Sequence, residues 1–188
     1  MIIGLTGPMG SGKSTVLEAL KTLGYQNHIT LSDMIREECN KRGVSQEREA
    51  MMDVGQSLRQ EFGAGVLGQR ALEKIGIENH ENWVVDGIRN PAEAEALQKH
   101  PDFILIANTA PEDLIVHRIL SRKRPGDATN RESILRKLRR EMGEGEPEDG
   151  QQVKKCIAMS DYVFQNDMPL EEVETAFLKL YNQINTES

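Results

Sequence analysis

Gly7-Pro8-Met9-Gly10-Ser11-Gly12-Lys13-Ser14 follows the apolar run Ile2-Ile3-Gly4-Leu5-Thr6 and opens a stretch, 13–23, that reads as a helix ending near Gly24. It fits G-x-x-x-x-G-K-[ST] in full, directly after an expected strand and directly before an expected helix. Glycines let such a loop curl until consecutive backbone N–H groups point inward at phosphate oxygens. The helix behind it turns its positive N-terminal end to the same anion. In this geometry Lys13 reaches the β- and γ-phosphates of a nucleoside triphosphate, and the Ser14 hydroxyl joins the coordination of Mg²⁺. The expected donor site therefore comprises Gly7, Pro8, Met9, Gly10, Ser11, Gly12, Lys13, Ser14 and Thr15, with ATP and Mg²⁺ as cofactors.

The rest of the chain alternates strand-like and helix-like segments, the pattern of a mostly parallel sheet covered on both faces. Strands are expected at 2–6, 28–31, 83–86, 103–107 and 161–165. Helices are expected at 13–23, 32–42, 46–62, 66–75, 91–100, 111–122, 131–142 and 170–181. Asn90 caps the helix at 91, Pro91 suits its first turn, and Glu93 completes a capping-box pattern. The whole reads as one three-layer α/β domain over 1–188, of the P-loop nucleotide-hydrolase type, with a five-stranded parallel sheet.

At 188 residues the chain is long enough for one sizeable core. Its apolar runs are far too short to cross a bilayer, and no basic region followed by an apolar stretch opens it, so a cytoplasmic location is expected. Cys39 and Cys156 give neither a disulfide framework nor metal spacing and read as reduced fillers. With 23 basic against 30 acidic residues, a net charge of −7 excludes general nucleic-acid binding. The basic residues are concentrated between Arg118 and Arg140, which suggests a small anionic ligand held locally. Neither a membrane nor a nucleic acid is an expected partner, and nothing specifies an oligomeric state.

Two further segments carry the acceptor side. Asp33-Met34-Ile35-Arg36 follows the second strand, where Arg36 in a first helical turn opposes the macrodipole at a cost of roughly 0.3–1 kcal/mol. Asp33, three residues back, or a substrate phosphate would each remove that conflict. In Asp86-Gly87-Ile88-Arg89 the carboxylate ends a buried strand, where open α/β sheets bind ligands. From there Asp86 can hold the water shell of Mg²⁺ while Arg89 projects toward the same crevice. Arg59, within 55–63, either belongs to the acceptor wall or packs its helix. No Asn-Lys-x-Asp segment of a guanine-selective GTPase and no ABC-type signature is present.

These stretches, with the arginine-rich segment after them, resemble the nucleoside monophosphate kinases, adenylate kinase among them. There the corresponding motifs read Asp-Met-Leu-Arg and Asp-Gly-Phe-Pro-Arg, and both arginines hold the acceptor's phosphate. The resemblance implies that role for Arg36 and Arg89. The present chain lacks the proline of the second motif, so Arg89 stands one residue closer to Asp86. Residues 84–97 are also similar to the equivalent segment of phage-type deoxynucleoside monophosphate kinases, and small archaeal adenylate-kinase-related proteins resemble the chain too. A second family resembles it at 1–15, at Arg124-x-Gly126 with Glu132 and Arg136, and at Ser160-Asp161-Tyr162-Val163 with Asn166. This is dephospho-coenzyme A kinase, whose His-Pro segment is missing here and whose early Asp-to-Arg spacing is longer.

Phosphoryl transfer spreads negative charge over the moving group, and a closing arginine-bearing lid would stabilise it and exclude water. The expected lid covers 122–148, with Arg122, Arg124, Arg136 and Arg140 as its cations and hinges at Pro125-Gly126 and Gly143-Glu144-Gly145. The catalytic set is then Lys13, Asp86, Arg122 and Arg136, the metal set Ser14 and Asp86, and the acceptor set Asp33, Arg36, Arg59 and Arg89. The leading expectation is a Mg²⁺- and ATP-dependent kinase acting on a nucleoside or deoxynucleoside monophosphate. A dephospho-coenzyme A kinase, with Asp33 as base toward a ribose hydroxyl, and an ATPase or nucleotide switch without an acceptor are the alternatives.

Overall fold

Ile2–Thr6 forms β1, and all five of its residues are buried, as befits a strand with neighbours on both sides. The computed structural model describes residues 1–78, 81–123 and 127–187. In them β1 is followed by α1 (Lys13–Thr22), β2 (Asn27–Thr30), α2 (Leu31–Arg42), α3 (Arg48–Phe62), α4 (Val66–Glu78) and β3 (Trp83–Ile88). Then come α5 (Pro91–Leu97), β4 (Phe103–Thr109), α6 (Glu112–Arg122), α7 (Arg131–Met142), α8 (Val153–Ala158), β5 (Tyr162–Gln165) and α9 (Leu170–Glu187). Among these, α8 is an element the sequence reading leaves as loop; its six residues are too few for a helical apolar period to stand out.

The strands pair in the order β2-β3-β1-β4-β5, parallel throughout, so every connection crosses over through helices. Alternate residues along a strand face opposite ways, and the core divides accordingly. Ile2, Trp83, Val85 and Leu105 point to one face, where Leu31, Ile35, Leu58, Leu67 and Leu97 of α2 to α5 cover them. Ile3, Leu5, Val84 and Ile106 point to the other, under Val16 and Leu20 of α1 and Phe177 and Ile184 of α9. A third cluster joins Ile115, Val116 and Ile119 of α6 to Ile134 and Leu138 of α7 and to Met9. The loop after β1 is thus anchored through its own side chain in a separate small core.

Strand ends gather the chemistry. β1 lies between β3 and β4; the connection from β1 runs to β2 on one side and that from β3 crosses to β4 on the other, the place where open sheets leave a crevice. The expected capping box at α5 forms: Asn90 accepts from the Ala92 N–H at 3.0 Å, and the Glu93 carboxylate accepts from the Asn90 N–H at 3.1 Å. Both cysteines are free and buried, and burial pushes the Cys156 thiol up to about 12, away from any nucleophilic thiolate. No helix among the described residues is long and apolar enough to cross a membrane.

Candidate active site

The loop at 7–14 is fixed by the ends of β4 and β5. Gly7 has φ +129°, and a Cβ there would lie 2.0 Å from the Asn108 carbonyl oxygen; Gly12 has φ +93°, and its Cβ would lie 2.2 Å from Asn166 Nδ2. Both positions need glycine for the left-handed backbone and for the closeness of the neighbouring strand end. Asn108 donates to the Ser11 carbonyl at 2.6 Å, and Arg118 of α6 donates to Asn166 Oδ1 at 2.9 Å and to its carbonyl at 3.1 Å. No side chain caps α1, whose N-cap is Gly12, so the helix turns its positive end to an incoming anion.

Lys13 Nζ donates to the loop's own carbonyls, at 2.6 Å to Gly7 and 3.0 Å to Pro8. Burial lowers its pKa to about 7; Asp86 opposes the shift, while Arg89, Arg48 and Arg122 add to it. A polyanion is the kind of ligand that such crowding of cations favours. The cleft in front, of about 780 Å³, is lined by Lys13, Ser14 and Thr15 on one side and by Asp86, Arg36, Arg48, Arg89 and Arg122 on the other. It continues into a pocket of about 300 Å³ that adds Ile35, Gln46, Met51, Met52, Asp127 and Gln151.

β3 runs on to Ile88, two residues past the expected end, so Asp86 lies within it, opposite Leu5 of β1 and Thr30 of β2, where the pairing with β1 shifts register. Its Oδ1 is buried and makes no hydrogen bond, and Ser14 stands across the same cleft. A carboxylate oxygen without a partner and a hydroxyl are hard donors that suit Mg²⁺, which takes few protein ligands and keeps its waters and substrate phosphates. Arg36 lines both cavities and is bonded to Asp33, the first of the two partners expected for it. Asp33 itself is exposed.

Arg89 and Arg48 meet behind the cleft on Glu141, a fully buried carboxylate of α7. Arg48 Nη2 lies 2.9 Å from its Oε1, Arg89 pairs with the same oxygen, and Oε2 accepts the Met9 N–H at 2.9 Å. Burial pushes both guanidiniums down to about 10, each still charged at neutral pH. Glu93, also fully buried, takes Arg59 at 2.8 Å and the backbone N–H of Arg89 at 2.9 Å.

Two expected site residues fall elsewhere. Arg59 is 3% exposed and spends its charge on Glu93, so it packs α3 and supports Arg89 from behind instead of lining the acceptor wall. Arg136 is exposed on α7 and lines a separate groove with Glu132, Arg139 and Glu144. Its helix is rooted in the core through Ile134, Leu138 and Glu141, which are all buried, and Arg140 is held by Asp53 at 2.6 Å and Glu146 at 3.0 Å. The second half of the expected lid segment is therefore a packed helix. Arg122 does reach the cleft, joined to Asp127 at 2.7 Å. Arg124 and the Pro125-Gly126 hinge lie outside the described residues.

Sequence reasoning missed Arg48, Glu141 and the α6 residues His117 and Arg118. Two of these carry a legible signal. Arg48 begins a helix and Glu141 stands in the last turn of one, so each opposes the local macrodipole as Arg36 does. Arg118 is an ordinary mid-helix cation, and its role rests on Asn166 arriving from β5.

Comparison with known proteins gives the family and the fold. The family model described as "AAA domain" matches residues 6–135. A UPF0200 protein of Hyperthermus butylicus is 30% identical over 98% of this chain and 95% of its own. Among solved structures, TT1252 from Thermus thermophilus matches with a TM-score of 0.60 at 22% identity, covering 97% of each chain. Shikimate kinase from Bacteroides thetaiotaomicron also reaches 0.60, at 14% identity over 98% of each chain. At such identities the structures speak for the fold, a P-loop kinase-like one. The extent of the sequence matches identifies the family: the chain belongs to the UPF0200 proteins and carries an AAA domain.

Proposed function

We propose that this protein is an ATP- and Mg²⁺-dependent phosphotransferase whose acceptor is a small phosphate-bearing molecule, a nucleoside or deoxynucleoside monophosphate. The observation that carries the reading is the surplus of cations facing the donor loop. Arg36, Arg48, Arg89 and Arg122 line a pocket in which Asp127 is the sole carboxylate among the described lining residues. Arg48 also keeps a buried Nε without a hydrogen-bond partner. Arg36 and Arg122 have carboxylate partners in Asp33 and Asp127, but Arg48 and Arg89 share the single Glu141, and a phosphate, which accepts several guanidinium bonds at once, answers the charge left over. Beyond the arginines, Ile35, Met51 and Met52 offer an apolar bed, and Gln46 and Gln151 supply amides, a lining that suits a flat heterocycle. The shikimate kinase among the structural neighbours is likewise named for a small-molecule substrate.

In this reading the loop amides and Lys13 bind the donor's phosphates, and Arg89, Arg48 and Arg36 orient the acceptor's. Arg122 lies between the two and neutralises charge on the group that moves. Ser14 and Asp86 would hold Mg²⁺, which when bound would supply charge neutralisation on the phosphate oxygens. The acceptor phosphate is already a nucleophile and needs no base, which agrees with Asp33 being exposed, bonded to Arg36 and absent from the lining of the cleft. The ribose-hydroxyl alternative requires Asp33 to face the acceptor.

The test is ADP release from ATP and Mg²⁺ with AMP, CMP, UMP, GMP, their deoxy forms or dephospho-coenzyme A, against a control without acceptor. A rate that rises with one monophosphate supports the proposal and names the substrate. A rise with dephospho-coenzyme A alone transfers the assignment to the hydroxyl acceptor, and an unchanged slow rate leaves an ATPase.

Two further outcomes are expected. Arg48→Ala removes a partly buried charge-assisted contact worth about 1.5–3 kcal/mol, and so raises the acceptor KM about ten- to a hundredfold. The half-exposed Arg36, changed to Ala, raises it less, and the ATP KM stays near native in both variants. Nucleotide binding is also linked to a proton. At pH 8 most Lys13 is neutral, because its pKa is about 7, and polyphosphate beside it favours the charged form. Binding at pH 8 therefore takes up close to one proton, while at pH 6 it takes up none there. Calorimetry in two buffers of different ionisation enthalpy reads the difference directly.

A further inference from the structure

Glu141 stands where a carboxylate is costly twice over. It is fully buried, and it occupies the last turn of α7, where the helix end is already negative. Its oxygens divide between two halves of the cleft. Oε1 holds Arg48 and Arg89, the innermost cations of the acceptor pocket, and Oε2 holds the backbone N–H of Met9 inside the donor loop. The three partners come from α3, the end of β3 and the loop after β1, which touch one another through this side chain. A role in holding up α7 alone would need none of this, since Ile134 and Leu138 already root that helix beside Met9, Ile115 and Ile119.

We infer that Glu141 is a positioning residue that couples the two substrate sites, so that an anion drawn onto Arg48 and Arg89 is felt at the Met9 amide of the donor loop. The coupling rests on the acceptor-phosphate reading above. An anion in front of the guanidiniums competes with Oε1 for their N–H groups and weakens that pull on the carboxylate. The same carboxylate's Oε2 then bonds Met9 more strongly, because the charge it shared with two arginines is returned to it. Occupancy of the acceptor pocket thereby stiffens the loop that grips the donor, and by reciprocity the donor favours the acceptor.

The experiment uses the full chain labelled with ¹⁵N-methionine, saturated with Mg²⁺ and ADP so that the donor loop is filled, and titrated with inorganic sulfate as the acceptor-phosphate probe. Calorimetry follows binding, and the Met9 amide resonance, assigned with Met9→Leu, follows the loop. The expected result is one sulfate bound per loaded chain, lost in Arg89→Ala, with the Met9 amide moving in proportion to saturation. In Glu141→Gln, which keeps the shape but not the charge, sulfate still binds and the Met9 displacement is at least fivefold smaller. Should that variant fail to fold, Glu141→Asp, too short to span Arg48 and Met9, is expected to give the same loss. A Met9 amide that stays still while sulfate binds, or that moves equally in the Glu141 variant, overturns the coupling and leaves the acceptor pocket standing. Sulfate that does not bind the loaded chain overturns the anion pocket itself, and the coupling with it.

Discussion

Lys13→Met lowers acceptor-dependent turnover by about a hundred- to a thousandfold or more, the scale on which removing one preorganised charge-stabilising donor acts. The chain that loses this activity stays folded, and its thermal midpoint is unchanged or higher. The two expectations have one cause. In the free protein Lys13 is crowded by Arg89, Arg48 and Arg122 and sheltered from water, which drives its pKa to about 7, with Asp86 offsetting part of the penalty. A buried ammonium in that setting costs stability, and its hydrogen bonds go to carbonyls of the loop it belongs to, Gly7 and Pro8. Methionine fills much of the same volume without the charge. The sign of the pH dependence follows. Between pH 7 and the ordinary lysine range the unfolded chain holds a proton that the folded chain has released, so native stability rises with pH there. The variant loses that slope. Melting curves from pH 7 to 10, set beside ADP release, separate a catalytic lysine from a structural one. A variant that melts well below the native chain at pH 7 would contradict this assignment.

Glu93→Ala is expected to cost about 3–5 kcal/mol of stability, because it strands a buried guanidinium. Arg59 and Glu93 are 2% and 0% exposed in their side chains, 2.8 Å apart. Glu93 also closes the capping box of α5 and accepts the Arg89 N–H, so its loss frees backbone donors as well as a charge. For a chain of this length each kcal/mol moves the thermal midpoint by about 2–4 °C, giving a fall of about 6–20 °C. Pairing the change with Arg59→Met removes the stranded charge and recovers part of the loss, a result that a denaturation series on both variants measures. The double variant should still bind ATP, yet bind the acceptor more weakly, since Arg89 loses its backbone anchor.

Much of this site is legible before any folding. Residues 7–14 specify a loop with left-handed turns at Gly7, Gly10 and Gly12 and a lysine at its end, so an anion-binding cradle is legible from the order of residues alone. Asp86 after Trp83-Val84-Val85 reads as a carboxylate on a buried strand, though the strand runs two residues further than expected, and Asn90, Pro91 and Glu93 announce the start of α5. These readings succeed because each depends on neighbours within a few positions. The misplaced arginines show the opposite case. Arg59 and Arg136 sit in stretches as basic or as near the motifs as Arg48 and Arg122, and composition does not separate them.

What separated them is which carboxylate the fold brings to each. Glu93 comes from 34 positions away to neutralise Arg59, and Glu141 comes from 93 positions away to meet Arg48. The sequence by itself determined the P-loop, the parallel α/β architecture and the carboxylate that follows the apolar run of β3, since apolar runs, helix-terminal residues and glycine content are local properties. Only the tertiary structure decided which cations line the cleft: Arg48 and Arg89 do so while sharing the buried Glu141, whereas Arg59 is enclosed with Glu93. Electrostatic roles are set by distance in space and by exclusion of water, and neither quantity is written in the spacing of residues along the chain.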